Sequence, residues 1–521
     1  MTMEDLDPHY DLIVIGGGIT GAGIALEAAS AGLNILLVEQ SDYAWGTSSR
    51  SSKMVHGGLR YLASGHFRLT RDAVRERQRM LDELPGLVDP MRYVMPHYYH
   101  RGFPGPWLFD KVLWLYDRFA GRRYRHRIDH SELLQWLPGI STEGLKAATG
   151  FIDAVTEDAR LVLRLLAEAQ RQGAVTRNYT RVTALGRPPH EPWQVTLEDH
   201  HTVPGANRTL TANAVINATG AWADRLWQTP HPDERIRPLR GSHLIVPFRR
   251  LPVSVSLTLQ HPEDRRPVFI FPWLGQTVVG TTDLDHTDDL DQEPGISQQE
   301  VEYLLQAIHS VCPGAKVSRQ DVLSTWAGVR PVVTEGGDKA PSGESREHVV
   351  WAEDGLISVA GGKLTTWRVI AREVLLTASP WLDNLQLTDE QQQTFPPNPD
   401  LARPREIGHL TWRRLQGYYG PLLSEVLAAG PLEPIAGTPY LWAELHWAAR
   451  SESVEHLDDL LIRRTRLGLL TPEGGDHLLE ELRNRLQPEL NWSDERWQDE
   501  TERYRALWRE AFSLPAERAS P

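Results

Sequence analysis

A glycine-rich turn near the start of the chain has the residue types and spacing to bind a dinucleotide. Gly16, Gly18 and Gly21 form the pattern G-x-G-x-x-G. The first glycine of such a turn allows the tight bend, the second lets the backbone approach a pyrophosphate, and the third lets a helix pack on its strand. The residues expected to contact the cofactor here are Gly16, Gly17, Gly18, Ile19, Thr20 and Gly21.

The segments around this turn support that interpretation. Residues 11–15 are rich in β-branched side chains, residues 23–31 are rich in alanine, and residues 34–39 form a second apolar run. This order predicts a strand, a helix and a second strand. Glu39 ends the second strand, where a carboxylate accepts hydrogen bonds from ribose hydroxyls and repels the 2′-phosphate of NADP. We therefore expect a dinucleotide that lacks this phosphate.

A polar loop at residues 46–61 follows the second strand directly and is rich in hydroxyl groups and glycine. Its position predicts that it lies along the cofactor, although an ordinary polar loop before a helix has a similar composition. The residues of this loop expected to contact the cofactor are Thr47, Ser48, Lys53, His56, Gly57 and Gly58.

A second glycine turn lies near residue 360. Residues 356–360 read as a buried strand that ends at Gly361 and Gly362, and a helix is predicted to begin near Thr365 and Thr366. The N-terminus of such a helix can stabilise negative charge on a cofactor ring. An ordinary strand-to-helix turn remains the alternative.

Composition limits the class of protein. The chain has 521 residues, long enough for two or three domains, and a formal net charge of -14, which disfavours nucleic acid as a partner. Its one cysteine, Cys312, excludes an intrachain disulfide and a thiolate metal cluster, so we expect no metal and a reducing cytoplasm. No window approaches the roughly 18 apolar residues of a spanning helix, so any membrane contact is expected to be peripheral.

The loop at residues 46–61 resembles the signature of the FAD-dependent glycerol-3-phosphate dehydrogenases, which belong to the D-amino-acid-oxidase-like flavoproteins. The resemblance continues along nearly the whole chain, through Asp158–Leu163, Asn217–Trp222, Gly241–His243, Pro272–Trp273, Gly280–Asp283, Gly328–Pro331 and Gly361–Thr366, and more loosely through Arg463–Thr465 and Gly468. It implies noncovalent FAD, with Gly220 added to the cofactor residues. The implied reaction is oxidation of sn-glycerol 3-phosphate to dihydroxyacetone phosphate, with electrons passed to a membrane quinone.

The resemblance also implies roles for six residues. The substrate carries about two negative charges, so its pocket needs cations, and Arg60, Arg330 and Lys363 match the family here. His243 is the matching candidate to accept the hydroxyl proton. Tyr61 and Thr281 are expected hydrogen-bonding neighbours. Which residue removes the proton stays open, and a structural histidine or a strand-capping arginine is the alternative for each site taken alone.

Residues 106–121 have the pattern of an interfacial helix. Leu108, Val112, Leu115 and Phe119 fall on one stripe, and Trp107 and Trp114 flank it. Arginines follow at positions 118, 122, 123, 125 and 127. Tryptophan and arginine beside an apolar stripe favour a helix that lies in the headgroup region of an anionic membrane, on the inner face of the cytoplasmic membrane. Packing on the protein core is the commoner fate of an amphipathic helix.

The expected fold is α/β plus α+β: a Rossmann-like FAD-binding domain interleaved with an antiparallel-sheet substrate domain, followed by a helical domain. The predicted boundaries are 1–85, 151–240 and 331–380 for FAD binding, 86–150 for the membrane-facing segment and cap, 241–330 for the substrate domain, 381–400 for a linker and 401–521 for the helical domain. An oxidase that uses oxygen and an amine or amino-acid oxidase are the alternative functions, and a homodimer is possible. No role is assigned to the loop at residues 335–347.

Overall fold

The computed structural model describes residues 3–58, 67–99, 106–120, 124–201, 206–226, 235–334, 348–435 and 437–516. Arg60, Tyr61 and the loop 335–347, which the sequence analysis singled out, lie outside these residues, as do the arginines at positions 122 and 123.

The described strands, numbered along the chain, are β1 (His9–Ile15), β2 (Ile35–Val38), β3 (Met54–Val55), β4 (Val88–Tyr98), β5 (His126–Ile128), β6 (Leu145–Thr156), β7 (Val175–Arg177), β8 (Thr180–Gly186), β9 (Trp193–Asp199), β10 (Ala206–Asn217), β11 (Arg235–Pro247), β12 (Ser256–Gln260), β13 (Pro267–Trp273), β14 (Gln276–Gly280), β15 (Leu284–Asp285), β16 (Ser324–Thr334), β17 (Val349–Glu353) and β18 (Leu356–Ala360). The described α-helices are α1 (Ile19–Ser30), α2 (Phe67–Glu83), α3 (Pro106–Ala120), α4 (His130–Trp136), α5 (Asp158–Arg171), α6 (Gln298–Val311), α7 (Trp367–Ala378), α8 (His409–Tyr419), α9 (Leu423–Ala429), α10 (Trp442–Ser451), α11 (Leu467–Leu470), α12 (Leu479–Leu490) and α13 (Asp494–Ala511).

The first sheet has the order β17-β18-β10-β1-β2-β7, with β9 paired to β10 and β8 to β9, and the strands β18, β10, β1, β2 and β7 run parallel. All four residues of β2 are buried, and so are the last four of β1, as expected for parallel strands covered on both faces. Helices α1, α5 and α7 pack together against this sheet. The carboxyl ends of β1, β10 and β18 therefore meet at one edge, which is the usual position of a ligand site in such a sheet.

The second sheet has the order β15-β11-β14-β13-β12-β4-β6-β3, with β16 paired to β11 and β5 to β6. All of these pairs are antiparallel except β12 with β4. The strands β11 to β16 coincide broadly with the predicted substrate domain, but the sheet also takes β3 to β6 from earlier in the chain. The mixed-sheet architecture confirms the expected fold class, while the exact domain boundaries stay a prediction.

The helical C-terminal region is joined to the first sheet by shared core and by buried charge. Val14 of β1, Leu166 of α5 and Leu415 of α8 belong to one continuous buried apolar cluster. Arg463 and Arg464, at the end of a π-helical turn, both reach the buried carboxylate of Asp42 beyond β2. Because these contacts connect positions more than 400 residues apart in sequence, the C-terminal region is part of the same packed body.

Helix α3 has one buried apolar face and one exposed apolar face. Phe109, Leu113 and Tyr116 are buried against the protein, so one apolar face packs on the core. Trp107, Leu108 and Trp114 are more than half exposed. The exposed apolar surface is thus not the predicted Leu108, Val112, Leu115 and Phe119 stripe, of which only Leu108 is exposed, but a neighbouring one. No helix in the described ranges has the length and apolarity required to cross a bilayer.

Candidate active site

A cavity of about 260 Å³ lies at the carboxyl edge of the first sheet. It extends from the turn after β1, past the end of β2, to the glycine turn after β18, and Pro331 of β16 forms part of its wall. Of the predicted cofactor residues, those that line it are Gly16, Gly18, Ile19, Thr20, Glu39, Thr47, Ser48, Gly220, Gly361 and Gly362. The cavity therefore unites three turns that are distant in sequence.

The shape of the first turn depends on its glycines. Gly16 has φ +114°, and a Cβ there would lie 2.5 Å from the carbonyl oxygen of Ala218. A Cβ on Gly21 would lie 1.9 Å from the carbonyl oxygen of Gly16, so a side chain would separate α1 from β1. Helix α1 begins at Ile19 with Gly18 as its N-cap, which leaves the helix N-terminus facing the cavity without a capping side chain of its own.

Two side chains shape the ends of this cradle. The hydroxyl of Ser48 accepts a hydrogen bond of 2.9 Å from the amide of Ile19, and Ser48 lines the cavity beside the helix terminus. The carboxylate of Glu39 accepts hydrogen bonds from the amides of Gly17 (2.7 Å) and Ser41 (2.9 Å). Each of its oxygens keeps a second lone pair for a ribose hydroxyl. Loss of hydration in this position raises the pKa of Glu39.

These features fit a dinucleotide with a pyrophosphate. The close-approach glycines, the helix N-terminus and the carboxylate at the end of β2 are the parts that such a cofactor requires. Gly361 and Gly362, both with positive φ, turn the chain after β18 at the other end of the cavity. Other predicted cofactor residues do not line the cavity in the described structure: Gly17, Gly21, Lys53, His56, Gly57, Gly58, Thr365 and Thr366.

Several of these residues have structural contacts instead. The amide of Gly57 donates hydrogen bonds to the hydroxyl of Tyr116 (3.0 Å) and to Asp153 (3.2 Å), both buried. The hydroxyl of Thr365 donates to the carbonyl of His56 at 3.3 Å and so links the two glycine-containing loops. Lys53 is fully buried and forms an ion pair with Asp158. Their roles toward the cofactor stay predictions, and in this structure they position the loops around it.

A second group of polar residues lies where β11, β14 and β16 meet. His243 of β11 is paired with Gly280 of β14 on one side and with Trp326 of β16 on the other. Its ring stacks on the indole of Trp326, with centroids 4.6 Å apart, and its Nε2 lies 2.9 Å from the hydroxyl oxygen of Ser52. Ser52 is adjacent to Ser51, which lines the cavity. The imidazole is therefore held between Trp326 and the loop that carries the cavity-lining Ser51.

The surroundings of His243 favour a neutral ring. It is 1% exposed, and its Nδ1 has no hydrogen-bond partner among the residues described. Burial lowers the pKa of His243 well below its usual value, and the positive charges of Arg330 and Lys53 lower it further. A neutral imidazole with an unpaired ring nitrogen is able to accept a proton.

Arg330 of β16 extends toward the same place. Its guanidinium donates to the carboxylate of Asp283 (3.0 Å) and to the hydroxyl of Thr281 (3.2 Å). A Cβ on Gly241 would lie 2.2 Å from Nη2 of Arg330, so the arginine crosses β11 only because this position is a glycine. Arg266 binds the other oxygen of Asp283. One carboxylate thus holds two guanidinium groups.

The structure brings together only some of the predicted catalytic and substrate residues. His243, Arg330 and Thr281 meet at one end of the second sheet, and Lys363 lines the cavity wall beside Leu364. Arg60 and Tyr61 lie outside the described residues. The structure adds contacts that the sequence analysis did not assign, from Ser52, Arg266, Asp283 and Trp326. Strand periodicity could have indicated Trp326, because this residue lies on the same face of β16 as Arg330. No sequence pattern indicates Arg266.

Comparison with known proteins places these features in a family. Residues 11–396 match the family described as FAD dependent oxidoreductase, and residues 382–497 match the C-terminal domain of alpha-glycerophosphate oxidase. The chain is 33% identical to glycerol-3-phosphate dehydrogenase 2 of Mycobacterium tuberculosis, over 93% of this chain and 86% of that protein. It is 32% identical to glycerol-3-phosphate dehydrogenase of Synechocystis, over 95% of each.

Solved structures agree. Glycerol-3-phosphate dehydrogenase from Bacillus halodurans, solved with FAD, superposes with a TM-score of 0.74 at 26% identity and covers 98% of this chain and 96% of its own. L-alpha-glycerophosphate oxidase from Mycoplasma pneumoniae superposes with a TM-score of 0.56 at 19% identity, over 75% of this chain and 100% of its own, which shows a shared fold.

The cavity and both sheets are thus those of an FAD-dependent oxidoreductase of the D-amino-acid-oxidase type, and FAD is the cofactor. Within that class, the chain belongs to the glycerol-3-phosphate dehydrogenase family. The sequence-based prediction of the family is confirmed, and so is the predicted cofactor.

Proposed function

We propose that this protein oxidises sn-glycerol 3-phosphate to dihydroxyacetone phosphate and passes the electrons to a membrane quinone. Support comes from family membership and from the meeting of His243, Arg330 and Thr281 next to the cofactor cavity. The observation that carries the proposal is the guanidinium of Arg330, which is aimed past Gly241 at the hydroxyl of Thr281.

The charges near this cluster suit a phosphate monoester. Arg330 and Arg266 share Asp283, so two cations accompany one carboxylate among these three side chains. A dianion needs further positive charge, and Lys363, which lines the cavity wall, is the residue we propose to supply it. Arg60 is the third expected cation and stays a prediction. Donors that are charged bind a phosphate more strongly than neutral ones, so this pocket distinguishes glycerol 3-phosphate from glycerol.

The oxidation requires that a proton and two electrons leave the carbinol. Bound FAD supplies the two-electron acceptor for the hydrogen on carbon 2. His243 accepts the hydroxyl proton as that hydrogen leaves, because its buried ring is neutral at physiological pH and its Nδ1 is unpaired among the described residues. Trp326 and Ser52 hold the ring in place during this step.

Anaerobic titration of the holoenzyme with glycerol 3-phosphate tests the reaction. We expect loss of the visible flavin absorbance with glycerol 3-phosphate and none with glycerol at the same concentration. Replacing Arg330 with alanine removes a charged hydrogen-bond donor worth about 1.5–3 kcal/mol, so the substrate concentration for half-bleaching rises on the order of 10- to 100-fold.

Arg250 provides a matched control. It is also an arginine of the second-sheet region that pairs with one aspartate, Asp321, but its side chain is 41% exposed and does not line the cavity. Arg250→Ala should bleach like the unmodified enzyme. Equal half-bleaching concentrations for Arg330→Ala and Arg250→Ala would remove Arg330 from the substrate site.

The proposed quinone acceptor requires contact with a membrane, and exposed side chains on α3 support such a contact. Trp107, Leu108 and Trp114 are 65%, 51% and 55% exposed. The ammonium of Lys111 lies 3.6 Å from the centre of the Trp107 ring, and Arg118 is exposed on the same helix. Exposed tryptophans with adjacent cations are typical of a helix that lies at the headgroup level of an anionic membrane.

Sedimentation with anionic vesicles tests this contact. The double variant Trp107→Asp, Trp114→Asp should remain in the supernatant while it still bleaches with glycerol 3-phosphate. Leu410→Asp is the control, because Leu410 is 86% exposed on α8 in the C-terminal region. Pelleting of the double variant at the level of the control would contradict membrane docking by α3. Reduction of a quinone analogue, against peroxide formation in air, distinguishes the dehydrogenase from the oxidase alternative.

A further inference from the structure

Lys53 is a buried cation that faces the protein interior and not the cofactor cavity. It is fully buried, and its ammonium donates hydrogen bonds to the carboxylate of Asp158 (2.7 Å) and to the carbonyl of Ser49 (2.6 Å). It also lies 4.9 Å from the ring centre of Trp326 and 5.4 Å from that of Trp273. Removing a lysine ammonium from water to this extent costs free energy, and these hydrogen bonds and ring contacts offset that cost.

Two contacts connect this cation to the proton-accepting imidazole. Trp326, which the ammonium of Lys53 touches, is the same ring on which His243 stacks. Ser52, the neighbour of Lys53 in sequence, has its hydroxyl oxygen 2.9 Å from Nε2 of His243. From the two ring distances, the ammonium and the imidazole centre lie within about 10 Å of each other, across an interior of low polarity.

We propose that Lys53 is a positioning residue for His243: its ammonium, held against Trp326 by Asp158, keeps the imidazole unprotonated so that it can accept the substrate proton. This inference rests on the proposed function, because it assumes that His243 is the proton acceptor. It assigns to Lys53 an electrostatic role toward His243, which is distinct from the predicted contact between Lys53 and the cofactor.

The charged groups around His243 and Lys53 determine whether the imidazole is more or less easily protonated. Arg330, on the strand next to His243, and Lys53 both disfavour a charged imidazole. Behind Lys53 lie Asp158 and Glu157 at the start of α5, and Arg466 from the C-terminal region. Burial is the main cause that lowers the pKa of Lys53 to about 8, with Arg466 next and Asp158 opposing. Lys53 therefore carries its charge throughout the range in which an ordinary histidine would titrate.

The C-terminal region takes part in this arrangement. Arg466 donates to the oxygen of Asp158 that also binds Lys53, at 2.7 Å, and it pairs with Glu157. The other oxygen of Asp158 accepts from the amide and hydroxyl of Ser51 at 2.9 and 2.7 Å. Asp158 thus fixes the loop that carries Ser52 and Lys53, and a residue more than 300 positions later holds Asp158.

The test compares Lys53→Met with Lys53→Arg in anaerobic, rapid-mixing reduction of the bound flavin across pH. Removing a unit charge about 10 Å away at an effective dielectric constant near 20 shifts the imidazole pKa by about one unit. We expect the acid limb of the reduction rate to move about one pH unit higher in Lys53→Met, with the high-pH plateau unchanged. Lys53→Arg, which keeps the charge, should restore the limb. A lowered plateau with an unmoved limb would overturn the inference, since that is the signature of a packing role.

A second measurement uses the unmodified holoenzyme, in case Lys53→Met does not fold. Selective ¹⁵N labelling of histidine gives one signal that disappears in His243→Asn and so belongs to His243. As the pH rises through about 8, Lys53 loses its charge, and the ¹⁵N chemical shift of His243 should change with a midpoint near that pH. The imidazole itself stays neutral over this range. A His243 signal that is flat through this range would refute the coupling. Failure of the unmodified enzyme to bleach with glycerol 3-phosphate would instead refute the proposed function, and the NMR result would stand apart from it.

Discussion

Asp42 is the residue whose loss should most weaken the attachment of the C-terminal region. Its carboxylate is fully buried and accepts two hydrogen bonds from Arg464, at 2.6 and 2.7 Å, and further ones from Arg463 and Asn178. Burial opposes its ionisation, yet the two arginines hold the pKa of Asp42 below its usual value. Asp42→Asn keeps the size of the side chain and removes its charge.

The two arginines are affected unequally by this change. Arg463 keeps Asp458 and Asp459 as partners. Arg464 loses the only carboxylate to which it hydrogen-bonds within the described structure, and it stays buried. Leaving one buried charge without its partner costs about 3–5 kcal/mol, which raises the population of an opened interface on the order of 100-fold or more.

Limited proteolysis in native buffer measures the rate at which the C-terminal region is cut. Urea unfolding, monitored by tryptophan fluorescence, measures the stability of the protein. Asp476→Asn is the control, because Asp476 pairs with Arg505 in the same region but both side chains are about half exposed. Such a pair contributes about 0–1 kcal/mol. If Asp42→Asn and Asp476→Asn were cut equally fast and unfolded at the same urea concentration, the buried pair would not secure the interface.

Three further predictions concern single sites. Gly21→Ala should purify without FAD, because its Cβ would lie 1.9 Å from a backbone oxygen, whereas Gly186→Ala, where a Cβ meets open space, should stay yellow. Cys312, buried and with its pKa raised to about 12, should react with iodoacetamide only after unfolding; prompt labelling of the native enzyme would contradict its burial. His243 has a pKa well below its usual value, so the unfolded chain takes up a proton near pH 6.5 that the native chain does not. Stability should therefore fall below pH 6.5, by up to about 1.4 kcal/mol per pH unit, and His243→Asn should lessen this slope in urea titrations.

The local elements were the most predictable part of the fold. Helical periodicity at residues 298–311 predicts a helix there, and the apolar run at residues 356–360 predicts a strand; α6 and β18 match these two ranges residue for residue. Both are strongly patterned: Ser297 and Glu300 form a capping box at the start of α6, and β18 is a fully buried apolar run between glycines. The first β-α-β unit was also correct, although α1 begins four residues earlier than the alanine-rich run indicated.

Helix α3 shows that apolar periodicity alone does not identify which face of a helix is buried. Its stripe at Leu108, Val112, Leu115 and Phe119 is a real feature of the sequence, but Phe109, Leu113 and Tyr116 define an adjacent stripe of equal apolarity. The protein buries the second one, since Tyr116 there donates a hydrogen bond of 2.7 Å to the buried carboxylate of Asp153. Choosing between two such stripes requires knowledge of the partner surface, which the helix itself does not contain.

The residues of the candidate site also differ in how far the sequence alone could assign them. Glycines and Glu39 could be assigned from local spacing, since each acts within one β-α-β unit. His243 and Arg330 could be singled out only through the family resemblance, because they lie far apart in sequence and meet through the register of β11 with β16. Ser52 belongs to the loop motif at residues 46–61, whereas Trp326 belongs to none of the motifs, and only the folded structure shows that both contact the imidazole of His243.

Lys53 shows what the structure adds to a prediction from sequence. The sequence analysis predicts that Lys53 contacts the cofactor, because it lies in the hydroxyl-rich loop after the second strand, and that contact stays a prediction. The structure gives its charge to Asp158, which also binds Arg466. Asp158 therefore binds two cations, and Arg466 also pairs with Glu157, so the charges of this buried group balance, with the ammonium of Lys53 nearest to Trp326. In the proposed arrangement this ammonium acts on His243 through its electric field, and Asp158, which binds both Lys53 and Arg466, connects the C-terminal region to the loop that carries Lys53.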